Sequence, residues 1–311
     1  MRLIHREEID AALDTVGLAA DQTVFAYCDL AAPGQLEGVR SREEFCATYL
    51  AAIRDRLGPG GTLVVPTYTT QVARFDIEFI WEETPALTGI FPEYVRTLPD
   101  SLRSIHPLHS VCALGAKQQE ICGDNGTSDF GWDSPFHRLH LAEAKILSIG
   151  LPSGYAVGIG HYLEAACCLP YIYNKLLKWS PIVAGETDPR PFFSSVRYLD
   201  LPVKHNFTRW VKNIRTLGGV NSARLGRKWV HMADFKQVFK EGAKQIRQEP
   251  YFLLQEPPTF EYGRIPFDGP TVGRDAISGK NDIDKVAEMN WAGYYLQSNQ
   301  HIVGGDDEEL A

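Results

Sequence analysis

The chain has 311 residues, of which 44% are hydrophobic and 23% are charged. This composition is typical of a folded globular protein that can bury one large core, and it excludes a mainly disordered chain. The formal net charge of −8 argues against a general nucleic-acid-binding protein, because such proteins need a basic face that displaces counterions from phosphates.

The N-terminal residues predict a charged amphipathic helix. Ile9, Leu13 and Val16 lie at helical spacing, without the uninterrupted apolar stretch of an export signal. No later segment has the roughly 18 consecutive apolar residues that a membrane helix needs. The six cysteines are scattered without C-x-x-C spacing, so we expect reduced thiols and no metal. These features favour a cytoplasmic protein with no membrane partner.

Strands and helices are predicted to alternate along the first half of the chain. A buried strand at 23–30 precedes a helix at 41–57, whose first turn is capped by Ser41, and a second buried strand follows at 62–69. A strand, a helix and a strand with short connections indicate a parallel pair with a right-handed crossover. The alternation continues with a helix near 89–99 and strands at 109–115 and 144–151.

The pattern changes from about residue 178. The segment PFFSSVRYLDLPV predicts antiparallel strands, helices are expected at 207–217 and 234–247, and an irregular tail with an acidic end follows residue 255. The sequence therefore predicts the α/β class: a largely parallel sheet flanked by helices, with an α+β extension after about residue 180.

His161 and Glu164 are the strongest candidates for chemistry. GYAVGIG is predicted to be a glycine-rich turn, and His161 and Glu164 lie three residues apart at the start of the helix that follows it. Both side chains therefore project from one face over the end of the sheet, where open α/β sheets bind ligands. Histidine is suited to act as a general base, and a nearby carboxylate can fix its tautomer. The alternative is a helix cap beside a solvated glutamate. A metal site is discounted because only one histidine lies on that face.

Six sequence segments together resemble the aminoglycoside 3-N-acetyltransferase family, over about residues 9–175. They occur in the family's order, and they are GGTLVVPTYT, FDIEF, TGIFPEYVRTLPDSLRSIHPLHSVCALG, WDSPFHRL, KILSIGL and GHYLEA. The resemblance implies an N-acyltransferase that uses acetyl-CoA or another acyl-CoA, without a metal. The acceptor that it implies is an amino group of an aminoglycoside or of a nucleotide-linked amino sugar. A homodimer is compatible with the resemblance.

The resemblance also implies roles for particular residues. His161 is the general base of a direct transfer, with Glu164 behind it, and residues 1–180 form the acyl-CoA-binding and catalytic core, which residues 181–311 complete on the acceptor side. His106 is expected near the chemistry, whereas the alternative for His109 is that it simply begins the next strand. The residues expected to contact the acyl donor are Pro66, Thr67, Tyr68, Arg103, Ser104 and Ser110, and those expected to hold a cationic acceptor are Asp76 and Glu78.

One segment departs from the family pattern. Tyr27, Cys28 and Asp29 stand where the family usually has His-Ser-Ser near the acyl-CoA site, which points to a longer or hydroxylated acyl chain. A binding protein that has lost the chemistry is the alternative that this departure supports. Cys28 as a nucleophile is disfavoured by its apolar strand, and a serine hydrolase is excluded by the absence of a G-x-S-x-G elbow.

Overall fold

The computed structural model describes residues 3–151, 154–198, 201 and 203–260, and these form a layered arrangement of helices and strands. The helices are α1 (Arg6–Val16), α2 (Arg42–Leu57), α3 (Gln71–Phe75), α4 (Ile90–Arg96), α5 (Gln118–Cys122), α6 (Pro135–Leu141), α7 (Gly154–Ala166), α8 (Thr208–Thr216) and α9 (Phe235–Gln248). The strands are β1 (Thr23–Cys28), β2 (Thr62–Pro66), β3 (Phe79–Ile80), β4 (Leu102–Arg103), β5 (Val111–Gly115), β6 (Lys145–Ile149), β7 (Ile172–Leu176), β8 (Pro181–Val183), β9 (Glu186–Thr187), β10 (Phe193–Arg197), β11 (Val220–Leu225) and β12 (Lys228–Asp234).

A seven-stranded sheet in the order β11-β12-β6-β1-β2-β5-β4 lies at the centre, with helices around it. The predicted α/β class is confirmed. The sheet is mixed, however: β1 runs parallel to β2 and β6, whereas β5, β4, β12 and β11 join as antiparallel neighbours. A largely parallel sheet is thus correct for the three central strands only, because a buried apolar run has the same pattern in either strand direction.

The second half of the chain contributes strands to this same sheet. Residues of β12 pair with β6, with Met232 opposite Leu147, and β11 pairs with β12 beyond it. The predicted antiparallel strands near residue 193 form a separate ribbon of β10 and β7. The division of the chain near residue 180 stays a prediction about folding units, and its expected acidic tail lies outside the described residues.

Two apolar clusters cover the two faces of the sheet. Successive side chains of β1 alternate between them: Phe25 lies in one cluster, and Val24 and Ala26 lie in the other, as the period of two along a strand requires. The first cluster includes the fully buried Trp210, whose indole Nε1 donates to Val238 O at 3.1 Å. Among the described residues no helix has the length and apolar character to cross a membrane.

Helix α7 begins earlier than the sequence predicts, because GYAVGIG is helical rather than a turn. Its glycines allow close packing: a Cβ at Gly160 would lie 2.7 Å from Phe207 Cζ, and one at Gly158 would lie 3.4 Å from Phe25 Cε1. The helix ends at Ala166, ahead of Pro170, a residue that cannot continue a regular helix. His161 and Glu164 consequently lie in the second half of α7 rather than at its start.

Candidate active site

The ends of several strands meet at one edge of the sheet. Pro66 at the end of β2 pairs with Val111 at the start of β5, so residues that follow β2 lie beside residues that precede β5. The ring centroids of Tyr68 and His109 are accordingly 5.1 Å apart. This edge therefore gathers the segments expected to meet the acyl donor, which are 66–68 and 103–110.

His161 and Glu164 form a hydrogen-bonded pair. The distance from His161 Nδ1 to Glu164 Oε2 is 2.7 Å, and the side chains are 46% and 1% exposed respectively. Because an ionised carboxylate only accepts hydrogen bonds, Nδ1 carries the hydrogen and Nε2 keeps a lone pair. The pair thus has a buried acidic end and a solvent-accessible basic end.

Glu164 accepts further hydrogen bonds from residues that are distant in sequence. His205 Nε2 lies 2.7 Å from Glu164 Oε1, and the Tyr171 hydroxyl donates to the same oxygen at 2.9 Å. Burial alone would raise the pKa of Glu164, but the charge of His205 and the hydrogen bond from His161 outweigh it, so the pKa lies below its ordinary value. Burial, together with the charge of Glu164, raises the pKa of Tyr171. Glu164 is therefore a buried, ionised carboxylate that orients His161.

The cluster of His161, Glu164 and His205 corrects one premise of the prediction that the site holds no metal, namely that only one histidine lies there. A second histidine, His205, does lie beside Glu164, and one donor atom each of His161, Glu164 and His205 lie within 4.8 Å of one another. The two rings, however, hydrogen-bond directly to different oxygens of the carboxylate. Metal ligation instead requires donor lone pairs that converge on one point. The absence of a metal stays a prediction.

Phe130 connects the helix to the sheet edge. Its ring centroid lies 5.9 Å from that of His161 and 5.0 Å from that of His109. His109 Nδ1 in turn lies 2.9 Å from Asp129 Oδ2, and Asp129 is fully buried. The residue that the sequence left open as a simple strand start is thus one half of a second histidine–carboxylate pair.

His106 occupies a different kind of position. Its Nε2 lies 2.9 Å from Phe193 O, and its Nδ1 accepts from the backbone amides of Leu108 and His109 at 3.2 and 3.1 Å. Burial lowers the pKa of His106 to about 4. Because backbone groups engage both ring nitrogens, this neutral histidine fixes the loop before β5, and the geometry gives no support to its expected place in the chemistry.

Arg103 and two hydroxyl residues form an internal network behind the same edge. The guanidinium donates to Thr67 O, to Ser110 Oγ and to the carbonyls of Trp81 and Thr84, at 2.7–3.2 Å. Burial lowers the pKa of Arg103 to about 9. The Ser110 hydroxyl donates to Thr67 O at 2.8 Å. Arg103, Thr67 and Ser110 were expected to contact the acyl donor. In the structure they tie the start of β5 to the end of β2.

Ser104 and Tyr68 complete this edge. Ser104 is fully buried, and its hydroxyl accepts from the Val111 amide at 2.9 Å. Tyr68 is 9% exposed, and burial raises the pKa of its phenol. Its backbone oxygen accepts from the Leu87 amide at 2.8 Å. Of the two, only Tyr68 retains an exposed fraction at the edge.

The sequence and the fold are similar to those of known proteins. The sequence profile of the family described as aminoglycoside 3-N-acetyltransferase matches residues 34–247, which is more than half of the chain. The chain belongs to the aminoglycoside 3-N-acetyltransferase family.

Individual family members resemble it at moderate identity. Aminoglycoside N(3)-acetyltransferase VII of Streptomyces paromomycinus is 28% identical over 187 residues, which are 54% of this chain and 62% of that protein. Aminoglycoside N(3)-acetyltransferase VIII of Streptomyces fradiae is 28% identical over 177 residues, which are 51% of this chain and 59% of that protein. The matched part thus spans about 60% of the length of these curated relatives.

Solved structures share the fold. The AAC-IIIb binary complex with CoASH has a TM-score of 0.67 at 21% identity and covers 83% of this chain and 100% of its own. AAC-VIa bound to sisomicin has a TM-score of 0.65 at 18% identity and covers 79% of this chain and 98% of its own. Both comparisons agree with the α/β architecture of the aminoglycoside 3-N-acetyltransferase family.

The segment that departs from the family pattern has a local structural role. Asp29 Oδ1 accepts from the amides of Ala31 and Ala32 at 3.1 and 3.2 Å, so this carboxylate holds the turn after β1. Burial raises the pKa of the Cys28 thiol, which keeps that thiol protonated. Tyr27 packs against α7 beside Gly158. Of these three residues, Tyr27 is the one placed on the side of the His161 helix.

The two acidic residues expected at the acceptor lie in a peripheral loop. Asp76 Oδ1 accepts from Trp179 Nε1 at 2.9 Å and lies 2.6 Å from Lys178 Nζ. Glu78 is exposed. The loop is thereby tied to the segment after β7.

His205, Tyr171 and Asp129 are the site residues that sequence reasoning missed. His205 lies 41 residues from Glu164 and Asp129 lies 20 residues from His109, so no local spacing links them. The available signal was weak: each residue lies within two positions of an aromatic residue, in the segments KHNF, PYIYNK and SDFGW.

Proposed function

We propose that this protein transfers an acyl group from acyl-CoA to an amino group of an aminoglycoside or a related amino sugar. Its family membership supports this reaction class, and the CoASH and sisomicin complexes of AAC-IIIb and AAC-VIa support the classes of donor and acceptor. The observation that carries the proposal is the half-exposed imidazole of His161, oriented by the buried carboxylate of Glu164.

The proposed role of His161 is to deprotonate the acceptor. An alkyl ammonium has a pKa of about 10.4, and only the neutral amine can attack a thioester. The acceptor therefore loses its first proton to solvent. With Nδ1–H donated to Glu164, the lone pair of His161 Nε2 is available to take the second proton as the neutral nitrogen attacks. The charge of Glu164 then stabilises the imidazolium, and its hydrogen bonds to His205 and Tyr171 keep the carboxylate ionised and fixed.

The transfer is direct. The amine nitrogen attacks the carbonyl carbon of the thioester while His161 Nε2 takes the nitrogen's proton, and the carbon–sulfur bond then breaks to leave the amide and the CoA thiolate. An acyl-enzyme at Cys28 is disfavoured because burial keeps its thiol protonated and therefore a weak nucleophile. The turn-stabilising role of Asp29 explains the altered segment without a loss of chemistry.

The acceptor is proposed to be cationic. A net charge of −8 favours a polyamine sugar over a nucleotide-linked amino sugar, which carries phosphates. Thermal-shift titrations with sisomicin and with a UDP-linked amino sugar separate the two classes, because a ligand that binds the folded state raises its melting temperature. Stabilisation by the nucleotide sugar alone would redirect the proposal to anionic acceptors.

The first test is the substitution His161→Ala. We expect thiol release from acetyl-CoA with sisomicin to fall by about 10²–10⁴-fold, the usual contribution of a general base, while calorimetry shows unchanged CoA binding. His5→Ala is a matched control, because His5 is 49% exposed and also pairs with a carboxylate, Glu37, at 2.6 Å. Full turnover in His161→Ala would exclude the proposed base.

A further inference from the structure

The second histidine–carboxylate pair has the same organisation as the first. His109 Nδ1 lies 2.9 Å from Asp129 Oδ2, with the side chains 17% and 0% exposed. An ionised Asp129 makes Nδ1 the hydrogen-bearing nitrogen, so Nε2 faces away from the carboxylate across the ring. The pair therefore also has a buried acidic end and a partly accessible imidazole.

Asp129 is held as a charged group. It accepts from the Ser194 hydroxyl, from the Ser195 amide at 3.0 Å and from the Phe130 amide at 2.8 Å, in addition to His109. Burial alone would raise the pKa of Asp129, but the hydrogen bond and charge of His109 outweigh it, so the pKa lies below its ordinary value. A fixed negative charge at Nδ1 stabilises the protonated form of the ring that it contacts.

The location of His109 puts it at the same site as His161. The Phe130 ring touches both imidazoles, and Tyr68, two residues after β2, packs edge-on against His109. The titratable groups that face His109 are Asp129 from the loop before α6, Tyr68 from the loop after β2, and the neutral His106 of its own loop. Of these, Asp129 is the one in direct hydrogen-bond contact with the ring.

The two carboxylates serve their histidines differently. Glu164 shares its charge between the rings of His161 and His205, whereas Asp129 hydrogen-bonds to one described histidine, His109. When two like groups at one site have different surroundings, one is suited to accept a proton and the other to donate one. His161 is the more exposed of the two and is suited to take the proton of the acceptor amine. His109 is then the histidine suited to donate a proton to the leaving group.

We propose that His109, oriented by Asp129, donates a proton to the thiolate sulfur of CoA as the carbon–sulfur bond breaks. This inference rests on the proposed acyl transfer. In this step His109 starts as the imidazolium, with a hydrogen on each ring nitrogen. His161 gains the proton that the amine loses, His109 Nε2 loses its proton to sulfur, and the products are the amide and the neutral thiol. Exchange of one proton between the two histidines through solvent restores the starting state.

The experiment measures kcat against pH with acetyl-CoA and sisomicin, for the wild type and for His109→Asn. The asparagine amide can replace Nδ1–H as the donor to Asp129 but cannot transfer a proton. We expect kcat to fall by about 10²-fold. We also expect the wild-type decline at alkaline pH, where a proton donor is lost, to disappear in the variant. The CoA dissociation constant and the melting temperature should stay unchanged.

Two further variants and the wild type complete the design. His109→Gln, whose amide lies nearer to Nε2, should lose the alkaline decline in the same way, and His5→Asn should match the wild type. A variant that keeps the wild-type kcat and alkaline decline overturns the assignment. A loss of kcat that is equal at every pH and accompanied by a lower melting temperature also overturns the assignment of His109 as the proton donor. Wild-type protein that releases no thiol with any amine acceptor overturns the proposed transferase function itself.

Discussion

His106 and His161 differ in what their ring nitrogens meet. Backbone groups take up both nitrogens of His106, whereas His161 has Nδ1 on Glu164 and a half-exposed side chain. The i and i+3 spacing on a helix made the second arrangement predictable, because helical geometry alone brings such side chains together. The surroundings of His106 depend on Phe193, 87 residues away, and no local pattern encodes them.

The buried, neutral His106 predicts a pH dependence of stability. Its pKa is about 4 in the folded protein against an ordinary 6.5. The unfolded chain therefore binds a proton more readily between these values, and the free energy of unfolding falls as pH decreases from 6.5 to 4. The contribution, complete above pH 6.5, amounts to roughly 3 kcal/mol.

His106→Asn keeps an acceptor near Nδ1 but removes the titration. Urea unfolding at pH 7 and pH 4.5 should show the wild type losing roughly 2 to 3 kcal/mol more than this variant, while His5→Asn behaves as the wild type. Equal losses in the wild type and His106→Asn would show that His106 does not titrate between these pH values.

At the level of elements, helix α7 shows what glycine does inside a helix. The sequence predicts a turn at GYAVGIG, since glycine disfavours helix by about 1 kcal/mol relative to alanine. Tertiary packing prevails because Phe207 needs the space at Gly160. The ring of Phe207 lies 5.6 Å from that of His205, so this close approach also helps to place a partner of Glu164.

Gly160→Ala should therefore destabilise the protein, by about 1 to 3 kcal/mol for overpacking, less the gain in helix propensity. Displacement of Phe207 should also move His205 and lower kcat. Gly158→Ala is the matched control in the same helix, because its Cβ would meet Phe25 at 3.4 Å, close to ordinary contact. Thermal unfolding and turnover of both variants check the prediction, which a Gly160→Ala protein as stable and active as Gly158→Ala would contradict.

For the whole molecule, the decisive feature is that β12 pairs with β6 in one continuous sheet. The buried strands β1, β2, β5 and β6 were evident from their own apolar runs, as were the ends of α2, α8 and α9 from their local patterns, whereas β11 and β12 were not predicted. Strand direction and order were not, because pairing depends on contacts such as Met232 with Leu147, 85 positions apart in the chain. For the same reason His161 and Glu164 were predictable, whereas His205 and Asp129 were not.

Hydrogen exchange can decide whether residues 1–180 and the later part unfold separately. A shared sheet predicts that the amides of β12 exchange with the same free energy of opening as those of β1 and β6. The measurement is native-state exchange at increasing denaturant. Opening of β11, β12 and α9 at a lower free energy, with β1 still protected, would instead support two folding units.

The bridge from Glu164 to His205 has a consequence for protein synthesis. His205 is itself anchored late, by pairing with Leu254 and by the bond from the Asn206 amide to Leu253 O. A nascent chain that has left the ribosome only as far as α7 already contains His161 and Glu164, but its carboxylate lacks the partners that fix it. The proposed competence for proton transfer is thus acquired only once some 50 residues beyond His205 have emerged.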